Sequence, residues 1–405
     1  MDTYIARQAI MDRFHNIIAY EILYQQDSST LYNQHESKVA NAVIDFFCNL
    51  DESKFLNGKD AFLTFPPSLL LRNIPKLPDE KKLVIQVEDN VLINSGAKDI
   101  LDSYHNRGYR LALLDFDFNK RYLDVLPIID IMKIDFSEPN DENIPSKLSV
   151  AHQFNMKTVA YNVNTAEAAE KSVSYEINYY QGSGVAEMVK TKAGDPAHLR
   201  SNFSRLMLAI SKESSGWDAL RHVISPDQTR SLLHIVNSAY FAPETPIKDI
   251  EQALSLLTAD QLKQWIYLLN FSSDDGASDE LIKASFQRAD FCRKLSQFVP
   301  DFPIDSLESY LLGMFSTLDV LLELDLADAV AELPLSDALK DGLSGKAGVC
   351  FDLLSACIAY EKGAWSQLNH LATRLGIPLD VIAQAYFDAV SYVKDTCEKL
   401  MTPMA

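Results

Sequence analysis

The stretch IMKID, at residues 131–135, belongs to a series of short apolar runs that decide the fold of the first half of the chain. Similar runs precede it at 83–87 (LVIQV) and 111–115 (LALLD) and follow it at 158–161 (TVAY). Their spacing of roughly 20 to 28 residues leaves room for one strand, one helix and two loops per repeat. Because each run is apolar on both faces, the pattern predicts parallel strands under a coat of helices. The predicted class is α/β, and an α/β barrel and a doubly wound sheet both fit.

The pattern changes after about residue 195, where strand signals stop and helical signals begin. The sequences SPDQ at 225–228 and TADQ at 258–261 place a capping hydroxyl three residues before a glutamine, which is typical of a helix start. The second half is therefore predicted to be all-α. Because 405 residues exceed the usual size of one hydrophobic core, we predict two domains, 1–195 and 196–405.

The charge balance narrows the range of partners. The chain carries a formal net charge of -19 and has a pI of about 4.8, so its surface repels polyanions and nucleic acid is not an expected partner. No apolar run approaches the roughly 18 residues that a membrane span requires, and the N-terminus lacks a basic leader followed by an apolar core. We therefore expect a cytoplasmic protein that makes no membrane contact.

The cysteines show no metal-site spacing and have apolar neighbours, which indicates burial as small hydrophobic residues. They are Cys48, Cys292, Cys350, Cys357 and Cys397.

Several motifs of the first half resemble those of EAL domains, barrels that precede HDOD domains in a class of bacterial signalling proteins. The opening at residues 4–24 is similar to the start of such a domain, with Glu21 where the family writes the glutamate of Glu-Ala-Leu. The runs at 111–116 and 132–136 resemble its Asp-Asp-Phe and Lys-Ile-Asp strands, and YQG at 180–182 resembles its last strand. The resemblance implies a modified TIM-like (β/α) EAL barrel.

Motifs of the second half resemble HDOD domains. They are HIVNSAYF at 234–241, IEQAL at 250–254 and AYEKGAW at 359–365. The resemblance implies an all-helical HDOD bundle, related in fold to metal-dependent HD hydrolases. Those enzymes need an adjacent His-Asp pair, and this chain contains no His-Asp dipeptide.

The resemblance also implies a site. EAL enzymes hydrolyse the bacterial second messenger cyclic di-GMP with two divalent ions, Mg²⁺ or Mn²⁺, which need oxygen ligands at the C-terminal strand ends. The family's residues are kept at Glu21, Asp115, Lys133 and Gln181. They are replaced at Thr64, Gln86, Leu114, Tyr161 and Asn164. Asp89 and Asp117 would replace a lost ligand only if the backbone had rearranged. Lys133 is equally interpreted as a residue that forms a salt bridge with Asp115 or Asp135.

This loss of carboxylates predicts a catalytically inactive phosphodiesterase homologue that needs no cofactor. We expect a non-enzymatic signal-transduction scaffold whose HDOD domain binds another signalling or regulatory protein, with a homodimer as a further candidate assembly. Cyclic di-GMP is not expected as a ligand. One alternative is a metal-free cyclic di-GMP receptor that uses Arg7, Gln8 and Gln181. The other is an active phosphodiesterase that holds Mg²⁺ or Mn²⁺ with unorthodox ligands.

Overall fold

A computed structural model gives the structure of the protein. It describes residues 4–14, 16–24, 55–65, 67–70, 80–93, 96–185, 279–322, 325–331 and 333–401, with short pieces between 207 and 266. The chain divides into two compact units, Met1–Val189 with Tyr360–Trp365, and Lys190–Ala359 with Ser366–Ala405. The domain boundary drawn from the sequence at residue 195 stays a prediction.

The first unit contains a closed barrel of eight strands in sequence order. The barrel decides between the two α/β arrangements that the sequence left open, and it confirms the predicted fold class. Strand β1 runs antiparallel to both β2 and β8, whereas all the other neighbours are parallel. The strands are β1 Ile5–Asp12, β2 Ile17–Tyr24, β3 Asp60–Thr64, β4 Leu83–Val87, β5 Arg110–Leu113, β6 Ile131–Asp135, β7 Lys157–Tyr161 and β8 Tyr179–Tyr180.

Helices accompany the strands of the barrel, as the spacing of the apolar runs predicts. One of them, α3 (Ala97–Asn106), buries Leu101 and Tyr104 on one face, with its polar residues on the other. The described helices of this unit are α1 Pro67–Leu70, α2 Asp89–Leu92, α3 Ala97–Asn106, α4 Ile144–Gln153 and α5 Ala166–Ser174.

An apolar layer fills the middle of the barrel. Each of the first seven strands contributes one buried side chain to it, and all of these are at most 4% exposed. Because side chains of a strand alternate between its two faces, the residue two positions further along each strand also points inward. The members of this layer are Ile10, Ala19, Phe62, Val84, Ala112, Ile131 and Val159.

From residue 250 onward the regular elements that the structure describes are all helices, which confirms the all-α prediction for this part. The capping box at 258–261 is confirmed as well, because the Thr258 amide donates to Gln261 Oε1 over 2.9 Å and the Gln261 amide donates to Thr258 Oγ1 over 3.2 Å. The box at 225–228 lies outside the described residues. The helices are α6 Ile250–Leu256, α7 Asp279–Ser296, α8 Ser306–Phe315, α9 Leu318–Leu322, α10 Leu326–Ala331, α11 Asp337–Leu343, α12 Val349–Glu361, α13 Trp365–Leu375 and α14 Leu379–Met401.

Three cysteines whose side chains the structure describes are buried thiols, as their apolar neighbours predict, namely Cys292, Cys350 and Cys357. In the part of the chain that the structure describes, no helix combines the length and the hydropathy needed to cross a bilayer.

The α7–α8 contact depends on a glycine. A Cβ atom at Gly313 of α8 would lie 2.3 Å from the carbonyl oxygen of Arg288 in α7. We expect Gly313→Ala to push the two helices apart and to lower the free energy of unfolding by about 1–3 kcal/mol, measured by urea denaturation. Gly348→Ala is the matched control, because the nearest atom to a Cβ there is 3.9 Å away. Equal losses in the two variants would contradict this account of the contact.

Candidate functional site

Eight of the site positions implied by the sequence lie together in the barrel, in the layer above the apolar one. Six of them follow a member of the apolar layer by two residues, as Glu21 follows Ala19 and Lys133 follows Ile131. Gln8, on the antiparallel strand β1, precedes Ile10 by two residues, and Gln181 follows Tyr179, which packs against the apolar layer. This register brings them to the C-terminal ends of the strands, where barrels of this kind carry their sites. We call this set the inward polar layer; its members are Gln8, Glu21, Thr64, Gln86, Leu114, Lys133, Tyr161 and Gln181.

Glu21 is the centre of this layer. Its Oε2 accepts a hydrogen bond from Lys133 Nζ over 2.9 Å and another from Gln181 Nε2. Its Oε1 accepts from Gln86 Nε2 over 2.7 Å. Gln181 Nε2 also donates to Gln8 Oε1 over 2.9 Å. Four strands and the residue after β8 are therefore tied through one carboxylate.

The ion pair determines the charge state of the layer. Burial alone would raise the pKa of Glu21, but the Lys133 charge and the donors of Gln181, Gln86 and Lys133 together hold it below its usual value of 4.5. Glu21 is therefore a carboxylate at neutral pH, and Lys133, 1% exposed, neutralises it. The partner of Lys133 is Glu21, whereas the sequence suggested Asp115 or Asp135.

Gln86 donates a second hydrogen bond, to Thr64 Oγ1, over 3.1 Å. Because an ionised carboxylate accepts but cannot donate, the amide nitrogens of Gln86 and Gln181 must face Glu21. Their Oε1 atoms are buried and have no hydrogen-bond partner among the described residues. These two oxygens are neutral acceptors that remain available inside the layer.

A rim of polar residues lies at the ends of β5, β6 and β7. Asp115, directly after β5, accepts a hydrogen bond from the Tyr161 hydroxyl. Burial, together with this carboxylate, raises the pKa of Tyr161, so the phenol stays protonated. The Lys133 Nζ atom lies 5.2 Å from the centre of the Tyr161 ring. The rim and the ion pair are thus directly connected.

The rim also contains a pair that the sequence reasoning missed. Asn162 Nδ2 donates to Asp135 Oδ1 over 3.0 Å, linking the ends of β6 and β7. The signal was present, because Asp135 follows Lys133 by two residues and so shares its inward direction. Asp117, considered as a replacement ligand, instead accepts from Arg121 Nη2 over 3.1 Å and from the Asn119 amide over 2.9 Å.

Two candidate residues lie apart from the inward polar layer. Arg7 precedes Gln8 on β1, and its guanidinium donates to the Phe55 carbonyl and lies 4.4 Å from the centre of the Tyr20 ring. Asn164 Oδ1 accepts from the amide and the hydroxyl of Ser183, over 3.0 and 3.1 Å. Of the three ligand-binding candidates, Gln181 therefore donates to both Glu21 and Gln8, whereas Arg7 contacts other residues.

The donor set does not fit a pair of divalent ions. Both oxygens of Glu21 are already used by an ammonium group and by amides, and a second cation beside Lys133 would be repelled. Among the described residues, no group of three or more His, Cys, Asp or Glu side chains could hold a metal ion. The free oxygens of Gln86 and Gln181 are neutral, and divalent ions of this kind prefer carboxylates.

Two curated proteins are similar along nearly the whole chain. The "uncharacterized protein YuxH" of Bacillus subtilis is 29% identical over 99% of this chain and 99% of its own length. The "cyclic di-GMP phosphodiesterase CdgJ" of Vibrio cholerae is 24% identical over 97% of this chain and 93% of its own. Among solved structures, the EAL domain of Mycobacterium smegmatis DcpA is 21% identical, covers 44% of this chain and 90% of that one, and has a TM-score of 0.37.

The prediction that the chain is not an enzyme is wrong by this comparison, because a relative matched over both halves is named a phosphodiesterase. That prediction was based only on the carboxylates that the protein itself supplies. Magnesium ions at phosphate-transfer sites are often held by one or two carboxylates, with waters and the substrate's own phosphates as further ligands. A short list of carboxylates therefore does not exclude catalysis.

The ion pair gives a prediction about stability. We expect Lys133→Met and Glu21→Gln each to lower the free energy of unfolding by about 3–5 kcal/mol, because each leaves one buried charge without its partner. The double variant removes both charges and should recover most of that loss. Urea denaturation at neutral pH measures all three. A double variant as unstable as the sum of the single ones would contradict the pairing.

The family models match the two halves of the chain in order. The EAL domain model matches residues 25–188, and the HDOD domain model matches residues 197–327. The first range contains strands β3 to β8 and the members of the inward polar layer from Thr64 onward, whereas β1 and β2, with Gln8 and Glu21, precede it. The second range lies in the part whose described elements are helical. The chain therefore contains an EAL domain, matched at residues 25–188, followed by an HDOD domain, matched at residues 197–327.

Proposed function

We propose that this protein acts in bacterial signalling by cyclic di-GMP, in the cytoplasm, and that the inward polar layer with its rim is the binding site for the dinucleotide. The observation that carries the proposal is the position of this layer. It occupies the C-terminal ends of the strands of an EAL barrel, directly above an apolar layer that closes the barrel from below. The expectation that cyclic di-GMP is not a ligand is weakened by the name of the relative from Vibrio cholerae.

The chemistry of the layer favours binding that does not depend on divalent ions. The Glu21 charge is already balanced by Lys133, so no metal is needed to neutralise it. The Oε1 atoms of Gln86 and Gln181 are acceptors that match N–H or O–H donors, either of the ligand or of a bridging water. Cyclic di-GMP offers such donors on its two guanine bases and on its ribose hydroxyl groups.

The helical part is the proposed output. We propose that the HDOD domain binds another signalling or regulatory protein and that occupancy of the barrel changes this binding. The support is the order of the two domains, a site-bearing barrel followed by a helical domain that carries no adjacent His-Asp pair for metal chemistry. A homodimer remains a further proposed assembly.

Binding is tested by titration calorimetry of the full chain with cyclic di-GMP in the presence of EDTA. We expect saturable binding, and we expect Gln181→Ala to weaken it by about tenfold, since that change removes a hydrogen-bonding group and loosens Glu21. Lys157→Ala is the matched control, because Lys157 is the exposed first residue of β7, at the opposite end of the barrel. Absence of binding to the unaltered chain, or equal effects of both variants, would contradict the proposed site.

Hydrolysis of cyclic di-GMP is the second candidate function, and the name of the Vibrio cholerae relative favours it. For this candidate we expect linear dinucleotide product in the presence of Mg²⁺ or Mn²⁺, measured by chromatography, and its loss with EDTA. Asp115→Asn should remove most of the turnover, because it takes away a rim carboxylate while leaving the buried ion pair intact. Asp124→Asn is the control, because Asp124 lies in the same connection and is exposed. Turnover that Asp115→Asn leaves unchanged would argue against this site as its origin.

A further inference from the structure

The loop after β5 presents an exposed aromatic side chain on a strained backbone. Phe118 is 45% exposed and has a φ of +63°. This left-handed region is open to glycine, whereas a bulky side chain rarely adopts it. Strain of this kind persists only where the surrounding structure enforces it, and it is found most often at functional sites.

The ring of Phe118 packs against another aromatic side chain. Its centre lies 4.8 Å from that of Phe116, which is only 4% exposed and in turn packs edge-on against Tyr122 at 5.0 Å. The turn that carries it is fixed by Asp117, which accepts hydrogen bonds from the Asn119 amide and from Arg121. Phe118 is thus a braced aromatic surface whose exposed part faces solvent.

The loop that carries this surface also carries part of the site. It contains Asp115, whose carboxylate accepts from the Tyr161 hydroxyl. The Tyr161 ring lies against Lys133, the partner of Glu21. The loop that carries Phe118 is therefore anchored to the inward polar layer through Asp115.

Because of the charges near the site, we expect the bases of the ligand, and not its phosphates, to supply most of the binding free energy. Lys133 is already paired with Glu21, and the rim adds the carboxylates of Asp115 and Asp135. The phosphates of a cyclic dinucleotide gain little from such surroundings. A purine base, in contrast, stacks on an aromatic ring whatever the local charge.

We propose that Phe118 is the stacking platform for one guanine base of cyclic di-GMP. This inference rests on the proposed function, since it assigns a contact within the same site. It goes further in naming an affinity-determining residue at a position that is not among the family's site positions implied by the sequence. Stacking of this kind contributes affinity for purines in general, because it reads the face of the base and not its hydrogen-bonding edge.

The test uses the strained backbone conformation of Phe118. Phe118→Gly removes the ring and relieves the backbone, so we expect cyclic di-GMP affinity to fall by about 5- to 100-fold while the melting temperature stays equal or rises. A residue with a merely structural role would lower both. Leu123→Ala is the matched control, because Leu123 lies in the same connection and is 62% exposed; it should change neither quantity.

A second pair of variants reports on the contact directly. In Phe118→Trp the fluorescence of the new indole should be quenched when cyclic di-GMP is added, and in Leu123→Trp it should not. Binding by the unaltered chain with no loss in Phe118→Gly would overturn the platform and leave the proposed function standing. No binding by the unaltered chain would overturn both. A change in self-association with unchanged affinity would also overturn it, since Phe118 would then belong to an interface between copies.

Discussion

The buried ion pair between Glu21 and Lys133 is the constraint on which the inside of the barrel depends. A carboxylate with almost no exposure to water needs a compensating charge and hydrogen-bond donors, and here one ammonium group and two amides supply them. Because these donors come from β4, β6 and the end of β8, the pair ties together strands that are far apart in sequence. It also determines the orientation of both glutamine side chains, so that the neutral oxygens are the ones left to a ligand.

This arrangement also determines the charge that a ligand meets at the rim. Because Glu21 neutralises Lys133, the charge of the rim comes from Asp115 and Asp135, in a chain whose net charge is -19. A phosphate-bearing ligand therefore meets little attraction at long range, and its recognition must come from short-range contacts, namely hydrogen bonds to amide oxygens and stacking on an aromatic ring. Affinity that arises in this way should depend only weakly on salt.

The sequence predicted the parts of the fold that are local. Runs such as 83–87 and 131–135 are strands with those same bounds, because a strand buried on both faces is apolar throughout. Closure into a barrel could not be read from the spacing of the runs, since it depends on which strands become neighbours, and the antiparallel direction of β1 leaves no mark on its periodicity. Only the resemblance to EAL domains implied a barrel. The same limit applied to the site. Lys133 pairs with a residue 112 positions away, whereas the sequence suggested carboxylates close to it along the chain.

Stability alone does not account for the inward polar layer. A buried ion pair replaced by apolar residues of similar volume often leaves a protein equally stable or more so, and the layer directly below shows that this barrel accommodates apolar side chains in the same geometry. The buried Oε1 atoms of Gln86 and Gln181, which have no partner in the part of the chain that the structure describes, add a further unfavourable contribution, since a buried acceptor without a donor costs about 1–3 kcal/mol. Such a layer is expected where a ligand or a bound water supplies the missing donors. The polar set at the strand ends is therefore better explained by what it binds than by what it stabilises.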